Sequence, residues 1–533
     1  MTVGMVESQT QTQVRAGGWS SVCELEDLWP NIGVCALVHG KQIAIFRIGD
    51  ALYALDNYDP ASGANVLARG IVGDVKGECV VASPLYKHHY SLLTGRCLED
   101  SAKSVNVYPV RALDGRVWVN AEPQQQPAAA TRRRRLIVIG NGMAGMRTVE
   151  ELLELAPNAY DITVFGAEPH TNYNRILLSP LLAGDKSAKE IFLHTPEWYK
   201  EHGVSLHSGD PVVSIDRRRR IVRSEKGVEL PYDRLLFATG STPQILPVPG
   251  KDLPGVMTFR DLADVDAMLE SARRYKTAVV IGGGLLGLEA ASALSRRGME
   301  VTVVHLFDAL MERQLDSVAA SLLRATLEQR GLKFRMPATT TAILGEERVR
   351  GVRLEDGSEL LADLVVMATG VRPNVELASR AGLRCERGIL VDDTLQTFDP
   401  SIYAVGECVQ HRNRTFGLVA PLWEQARVCA IHLAELGVSR YRGTLPATQL
   451  KVAGIELYSA GEFAGGQGAE ALVLQDHRNG IYKRLVIQDN RLRGAVLYGD
   501  AKHGSWYFEL MSAGRDIGGM RDRLLFGPEH AIA

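Results

Sequence analysis

The chain has 533 residues, of which 46% are hydrophobic and 23% charged, a globular balance that argues against wholesale disorder. At roughly 150 residues per domain, this length predicts about three or four domains. A net charge of −2 supplies no global field for nucleic acid or an anionic membrane, so neither is expected as a partner. Aromatics at 6% against 52 glycines suit nucleotide-binding α/β folds better than an aromatic-rich sandwich.

The residues through Gly18 are polar and lack the apolar core of a signal peptide, so a cytoplasmic location is expected. Short β-like runs follow from Trp19 to Ala121, such as Val34 to Val38, Gln42 to Ile48 and Val117 to Asn120. Broken by Gly, Asn and Asp, they predict an all-β module over 19–121. The low-complexity stretch Glu122 to Thr131 reads as the core of a linker over 122–134. Beyond it the pattern changes to apolar strand, glycine turn and amphipathic helix, and it repeats near Ala278. Two interleaved α/β units are predicted, the first over 135–260 and 386–440, the second over 261–385. From 441 to 533 short strands return, including Ile481 to Ile487 and Arg493 to Leu497 around an Asp489-Asn490 turn, which predicts a small α+β domain.

Thr277 to Leu294 is the most membrane-like run, but it holds three consecutive glycines and Glu289. A strand-turn-helix explains that composition and a bilayer span does not. Two arginine runs, Arg132 to Arg135 beside the linker and Arg217 to Arg220 in a predicted hairpin, read as solvated edges. Docking of an acidic partner is their functional alternative. The nearest pair among the seven cysteines, Cys23 and Cys35, is twelve positions apart. That spacing excludes C-x-x-C dithiols, zinc ribbons and ferredoxin-type runs, and predicts reduced, mostly buried thiols and no metal site.

Leu136 to Ile139 lead into Gly140-Asn141-Gly142-Met143-Ala144-Gly145 and then a helical segment, Met146 to Leu155. In that context Gly140 permits a tight turn, Gly142 lets a pyrophosphate approach the backbone, and Gly145 lets helix and strand pack closely. The next strand, Ile162 to Phe165, is followed by Glu168, about where an acid bonds a ribose hydroxyl. The second unit repeats this grammar in Ala278 to Ile281, then Gly282, Gly284 and Gly287, the helix carrying Glu289, and the strand Val301 to Val304. His305 stands where the second acid is expected, so the choice between NADH and NADPH stays open. Asp308 nearby, and no arginine at the strand end, lean it to NADH. Two dinucleotides on one chain point to hydride transfer from a nicotinamide to a flavin. Such transfer needs stacked rings in a water-poor cleft more than an acid or base. Glu289 is the candidate polar residue facing those rings, with a salt-bridged helix residue as the plain alternative.

The segment from about Leu136 to Leu436 resembles the two-dinucleotide flavoprotein reductases, which include rubredoxin and ferredoxin reductases and the flavoprotein half of assimilatory nitrite reductases. Ala238-Thr239-Gly240 and Ala368-Thr369-Gly370 look like that family's paired strand-to-linker turns, the second extended by Val371-Arg372-Pro373-Asn374. Ile402 to Glu407 resembles its second FAD signature, in which the acid bonds the ribityl chain; Gly406 and Glu407 then belong to the FAD site, with Glu in place of the usual Asp. The loop near the flavin ring commonly reads R-P-P-L-S-K. Here it is Arg175-Ile176-Leu177-Leu178-Ser179-Pro180, so Arg175 and Ser179 are retained and the lysine is replaced by Pro180. That loop, Val304-His305-Leu306 and Leu310 to Asp316 are similar to the nitrite-reductase branch. The cofactors so implied are FAD and NADH, with NADPH possible.

Trp19 to Ala121 resembles the Rieske ferredoxin fold and, more closely, the small subunit of assimilatory NAD(P)H nitrite reductase. A Rieske cluster takes two Cys and two His from C-x-H and C-x-x-H loops. The matching positions here are Asn57 and Asp59, then Ser83 and Tyr86, so no iron is expected. His88 and His89 are adjacent on an extended segment and point to opposite faces, so they do not make a chelating pair. The tail, from about Thr444 to Pro528 and including Leu450 to Ile455, resembles the interface domain of the same reductases.

The expected architecture is therefore an all-β Rieske-like domain, two interleaved α/β Rossmann-like FAD and NAD(P)H domains, and a small α+β domain. The resemblance implies an NAD(P)H-dependent flavoprotein oxidoreductase that passes electrons to a separate metalloprotein of nitrite or nitrate assimilation. The cysteine spacings provide for neither siroheme nor an iron–sulfur relay in this chain. The alternatives are a ferredoxin or rubredoxin reductase of an oxygenase system, and a low-turnover NADH-sensing flavoprotein that acts by docking.

Overall fold

The computed structural model describes residues 14–15, 18–49, 51–75, 78–124, 133–436, 439–452 and 454–531. Most of the expected linker, the N-terminal stretch through residue 13, Arg132 and Ala453 lie outside the described residues. The chain divides into two compact units, 1–133 and 134–533.

The first unit is built of antiparallel strands. Trp19–Glu24 pairs with Arg116–Asn120, which pairs with Val110–Leu113. Val34–Val38, Lys41–Ile48 and Ala51–Asp56 form a second sheet, and Ile71–Val75, Glu78–Ala82 and His89–Ser91 a third. Lys41–Ile48 holds four consecutive buried residues because it is covered on both faces. Successive side chains of a strand alternate, so Ile43 and Ile45 enter a core with Leu28, Val117 and Val119. Ala44 and Phe46 enter another with Leu55, Leu67, Val81 and Tyr90.

In the second unit a five-stranded parallel sheet has the order Val204–Ser208, Tyr160–Gly166, Arg134–Ile139, Arg234–Phe237 and Ile402–Ala404. Its last strand arrives after the whole second lobe has been built, so the two lobes are interleaved. The second parallel sheet runs Val256–Thr258, Leu364–Met367, Thr277–Ile281, Glu300–Val304 and Lys333–Arg335. The central strands are continuously apolar, as Leu136 to Ile139 and Ala278 to Ile281 are, because both sheet faces are buried. Arg217 to Arg220 form the turn of the hairpin Val212–Asp216 and Ile221–Ser224.

The tail forms a five-stranded antiparallel sheet ordered Ala447–Val452, Ile455–Gly461, Arg491–Tyr498, Ile481–Gln488 and Glu470–Asp476, with the helix Gly504–Ser512. Asp489 and Asn490, at φ 51° and 52°, make the two-residue left-handed turn that strand twist favours. Ile455, Leu457, Tyr482, Val496 and Tyr498 join the second lobe's core. Tyr482 also donates to Asp316 at 2.5 Å.

Among the described residues no helix is long and apolar enough to cross a membrane. All seven cysteines are free thiols, but only Cys97, Cys408 and Cys429 are buried. The expectation of mostly buried thiols is corrected: Cys35, for example, is on the exposed side of the alternating strand Val34–Val38.

Candidate functional site

The two glycine turns obey one steric rule. At Gly140, φ is +118°, and an added Cβ would lie 2.1 Å from the Ala238 carbonyl oxygen. At Gly282, φ is +126°, and the Ala368 oxygen would be 2.3 Å away. Each turn is thus pressed against the end of the neighbouring strand and accepts no side chain. A Cβ at Gly145 would meet the Gly140 oxygen at 2.7 Å, and one at Gly287 the Gly282 oxygen at 2.1 Å. By contrast, Gly142 and Gly284 face open space, with nothing within 4 Å of an added Cβ. Each is the N-cap of its helix, Met143–Leu155 and Leu285–Arg296, and neither helix receives a side-chain cap. Their first-turn N–H groups are therefore placed to take a phosphate.

Ala238-Thr239-Gly240 and Ala368-Thr369-Gly370 follow the strands Arg234–Phe237 and Leu364–Met367 and bind each other's extensions. Thr239 Oγ1 donates to the Asn374 carbonyl at 3.0 Å, and Asn374 Nδ2 donates to the Thr239 carbonyl at 2.8 Å. Thr369 Oγ1 donates to the Gln244 carbonyl at 2.6 Å, and the Gln244 N–H to the Gly370 carbonyl at 2.8 Å. Between them Ser241–Pro243 and Val371–Pro373 pair antiparallel. The two crossover segments thereby lock the lobes together beside both glycine turns.

Gly406 directs the second signature toward the first glycine turn. A Cβ there would come 3.0 Å from Ala144, and its N–H donates to Gln425 Oε1 at 2.8 Å. Oε2 of Glu407 accepts from Ser241 at 2.9 Å and forms an ion pair with Arg260. Among the described residues no donor is bonded to Oε1, which can take a hydroxyl. Glu168 and Arg175 form an ion pair, and Tyr173 donates to the other Glu168 oxygen at 2.6 Å. Arg175 is also fixed on the Arg260 carbonyl at 3.0 Å. Ser241, Arg260, Gln425 and Tyr173 escaped sequence reasoning. Only Ser241 carried a signal, its adjacency to Ala238-Thr239-Gly240.

The helix Leu178–Ala183 of the first lobe packs on Leu285–Arg296 of the second through Leu178, Leu181, Leu182, Leu288 and Ala291. At that junction Ser179 Oγ donates to Glu289 Oε2 at 2.7 Å. Burial raises the Glu289 pKa, and the Ser179 hydrogen bond only partly opposes it. Glu289 is thus placed between the lobes with a hydroxyl partner rather than a cation.

Register resolves the nicotinamide-side strand. Ile139 pairs with Phe165 and Ile281 with Val304, so His305 is the counterpart of Gly166 and Phe307 that of Glu168. His305 is buried, and its Nδ1 accepts the Gly283 N–H at 3.0 Å while Nε2 lies 3.3 Å from Glu312. It supports the glycine turn from beneath. Phe307 is 48% exposed and stands at the position that Glu168 holds in the first lobe.

In the first unit two of the positions that match cluster ligands, Asp59 and Ser83, bond to each other, and Asn57 bonds to its neighbours. Asn57 Nδ2 donates to Gln42 Oε1 at 3.1 Å and Asn57 Oδ1 accepts from the Ala68 N–H at 2.8 Å. Asp59 accepts from Ser83 and Tyr90, each at 2.6 Å, from Ser62 at 2.7 Å and from the Ala61 N–H at 3.0 Å. Burial opposes the Asp59 charge, but the bonds from Ser83, Tyr90, Ser62 and Ala61 outweigh it and bring the pKa down to about 2. Tyr86 is 66% exposed. The direct Asp59–Ser83 bond closes the space between the loops, so these residues do not fit an iron–sulfur core. Nor do His88 and His89 supply one, since His89 is bonded to Glu99 at 2.6 Å. Among the described residues no group of three or more His, Cys, Asp or Glu could hold a metal ion.

The sequence matches three families: the Rieske-like [2Fe-2S] domain over residues 18–120, the pyridine nucleotide-disulphide oxidoreductases over 134–429, and the rubredoxin NAD+ reductase C-terminal domain over 446–515. Nitrite reductase [NAD(P)H] of Bacillus subtilis is 48% identical over 382 residues, covering 72% of this chain and 48% of that protein. The assimilatory nitrate reductase electron transfer subunit of the same organism is 44% identical, covering 72% of this chain and 50% of that one. The chain thus spans about half the length of these relatives. Among solved structures, the covalent putidaredoxin reductase–putidaredoxin complex aligns with a TM-score of 0.67 and 26% identity over 74% of this chain and 96% of that one. With two glycine turns locked by paired crossovers and a family match over more than half its length, the chain belongs to the pyridine nucleotide-disulphide oxidoreductase family.

Proposed function

We propose that this protein oxidises NAD(P)H, with NADH preferred, and passes the electrons to a separate metalloprotein of nitrite or nitrate assimilation in the cytoplasm. One observation carries the reading: Ser179 and Glu289 meet at 2.7 Å where the two glycine-turn lobes pack together, so the cofactors held by those turns would face each other. FAD, when bound, supplies the chemistry by taking two electrons as hydride and releasing them singly. The chain's own work is positional. The turns at Gly140 and Gly282 would orient the pyrophosphates, Glu168 and Glu407 would offer carboxylate oxygens to ribose and ribityl hydroxyls, and His305 holds the second turn in shape. Arg175 and the Arg260–Glu407 pair fix the first lobe's wall. Glu289, whose pKa burial raises, would present a polar group toward cofactors held by the two turns.

The names of the two Bacillus subtilis relatives, a nitrite reductase and a nitrate reductase electron transfer subunit, support the acceptor class. In the first unit, the Asp59–Ser83 bond between ligand-equivalent positions favours docking over electron relay. Steady-state oxidation of NADH tests the reading. Ferricyanide or a viologen should sustain turnover, and nitrite alone should not. Turnover below about one per second would favour the sensing alternative, since ordinary enzymes exceed it. A natural acceptor recovered as a ferredoxin or rubredoxin would favour the oxygenase-type reductase.

A further inference from the structure

A charged cavity lies where the first lobe meets the start of the tail, built from residues that take no part in either glycine turn. Strands Val409–His411 and Arg414–Thr415 form a hairpin whose turn residues, Arg412 and Asn413, both have left-handed φ of 46° and 64°. Asparagine tolerates that region; an arginine there is uncommon. This hairpin and the segment at Arg442 to Thr444 line a solvent-open cavity of about 310 Å³, at the small end of ordinary ligand pockets. Its lining includes Arg412, Arg414 and Arg442, together with Thr444 and Phe416.

The charges there do not balance. Asp393 is fully engaged: it takes Arg412 at 3.0 and 2.7 Å and His411 at 2.9 Å. Glu424 accepts from Thr444 at 2.7 Å. Among the described residues neither Arg414 nor Arg442 has a carboxylate partner, and Arg387 is hydrogen-bonded to the Asn413 carbonyl behind the turn. Guanidinium groups sharing one small cavity repel each other, and their planar forks match a tetrahedral oxyanion with two parallel bonds each.

We propose that this cavity binds a small multivalent oxyanion of the phosphate class. The oxygens meet Arg414 and Arg442, and any attached carbon skeleton lies against Phe416. Isothermal titration of the full chain, saturated with FAD and NAD+ so that both glycine turns are filled without turnover, with inorganic phosphate at constant ionic strength tests it. Saturable binding is expected, weakened at least about tenfold in the double variant Arg414→Ala, Arg442→Ala, as loss of charge-assisted bonds predicts. Both positions are exposed, so the variant should keep its FAD content and melting temperature without phosphate. No saturable heat, equal affinity in the variant, or the same heat from chloride would overturn the proposal.

Discussion

Gly142 and Gly145 stand three positions apart in one turn and carry opposite consequences for substitution. A Cβ at Gly145 has nowhere to go, so Gly145→Ala should lower the melting temperature whether or not FAD is present. Gly142→Ala should leave the apoprotein's stability nearly unchanged and, on the proposed function, weaken FAD binding, because the open space beside Gly142 would admit a pyrophosphate. Thermal melts with and without FAD separate the two. At Glu407, replacement by Gln keeps the shape but removes the charge shared with Arg260. Hydrogen bonds to charged groups contribute about 1.5–3 kcal/mol, so FAD affinity should fall roughly ten- to hundredfold in a fluorescence titration. Phe307 stands at the position Glu168 holds in the first lobe, so, on the proposed function, Phe307→Asp should raise the preference for NADH over NADPH, read as a ratio of kcat/KM values. The sequence placed the glycines because their steric demand is local. It did not place Arg260, whose partner Glu407 lies 147 positions away, and it counted to His305 rather than Phe307 because the register of Ile281 with Val304 is a property of the paired strands.

The crossover segments and the ligand-equivalent loops show how elements inherit their roles. Ala238-Thr239-Gly240 and Ala368-Thr369-Gly370 were legible as turns, yet their mutual bonding through Asn374 and Gln244 needs both lobes in place. In the first unit the replacement of cluster ligands was legible, whereas the network that substitutes for them was not, since Tyr90 carries no motif. That network makes a pH prediction. The Asp59 pKa is depressed from 3.8 to about 2, so its stabilisation is complete above the unfolded value and is lost as pH falls through the folded one. At about 1.4 kcal/mol per pKa unit the loss is roughly 2 kcal/mol. Hydrogen exchange in the segment from Asn57 to Tyr90, corrected for intrinsic rates, should accelerate between about pH 4 and 2. Asp59→Asn should exchange faster at neutral pH and lose that acid step. An unchanged pH profile in the variant would mean that another group holds the loops together.

At the level of the whole molecule, interleaving explains why the chain reads as two similar halves and works as one. The first lobe is completed only by Ile402–Ala404, after the second is finished, so the Ser179–Glu289 contact depends on both. Domain order was legible from composition shifts and repeated glycine turns; the packing of the tail sheet into the second lobe's core was not, because Tyr482 and Tyr498 look like ordinary strand residues. The central claim is a flavin-mediated transfer outward from a reduced nicotinamide, with no inorganic centre in this chain. Its most direct test is an anaerobic NADH titration of the purified protein with metal analysis of the same sample. The account predicts a bound flavin whose visible band bleaches at about one equivalent of NADH and returns with ferricyanide, and no stoichiometric iron. A protein that binds no flavin, a flavin that NADH leaves oxidised, or iron in proportion to protein would contradict it.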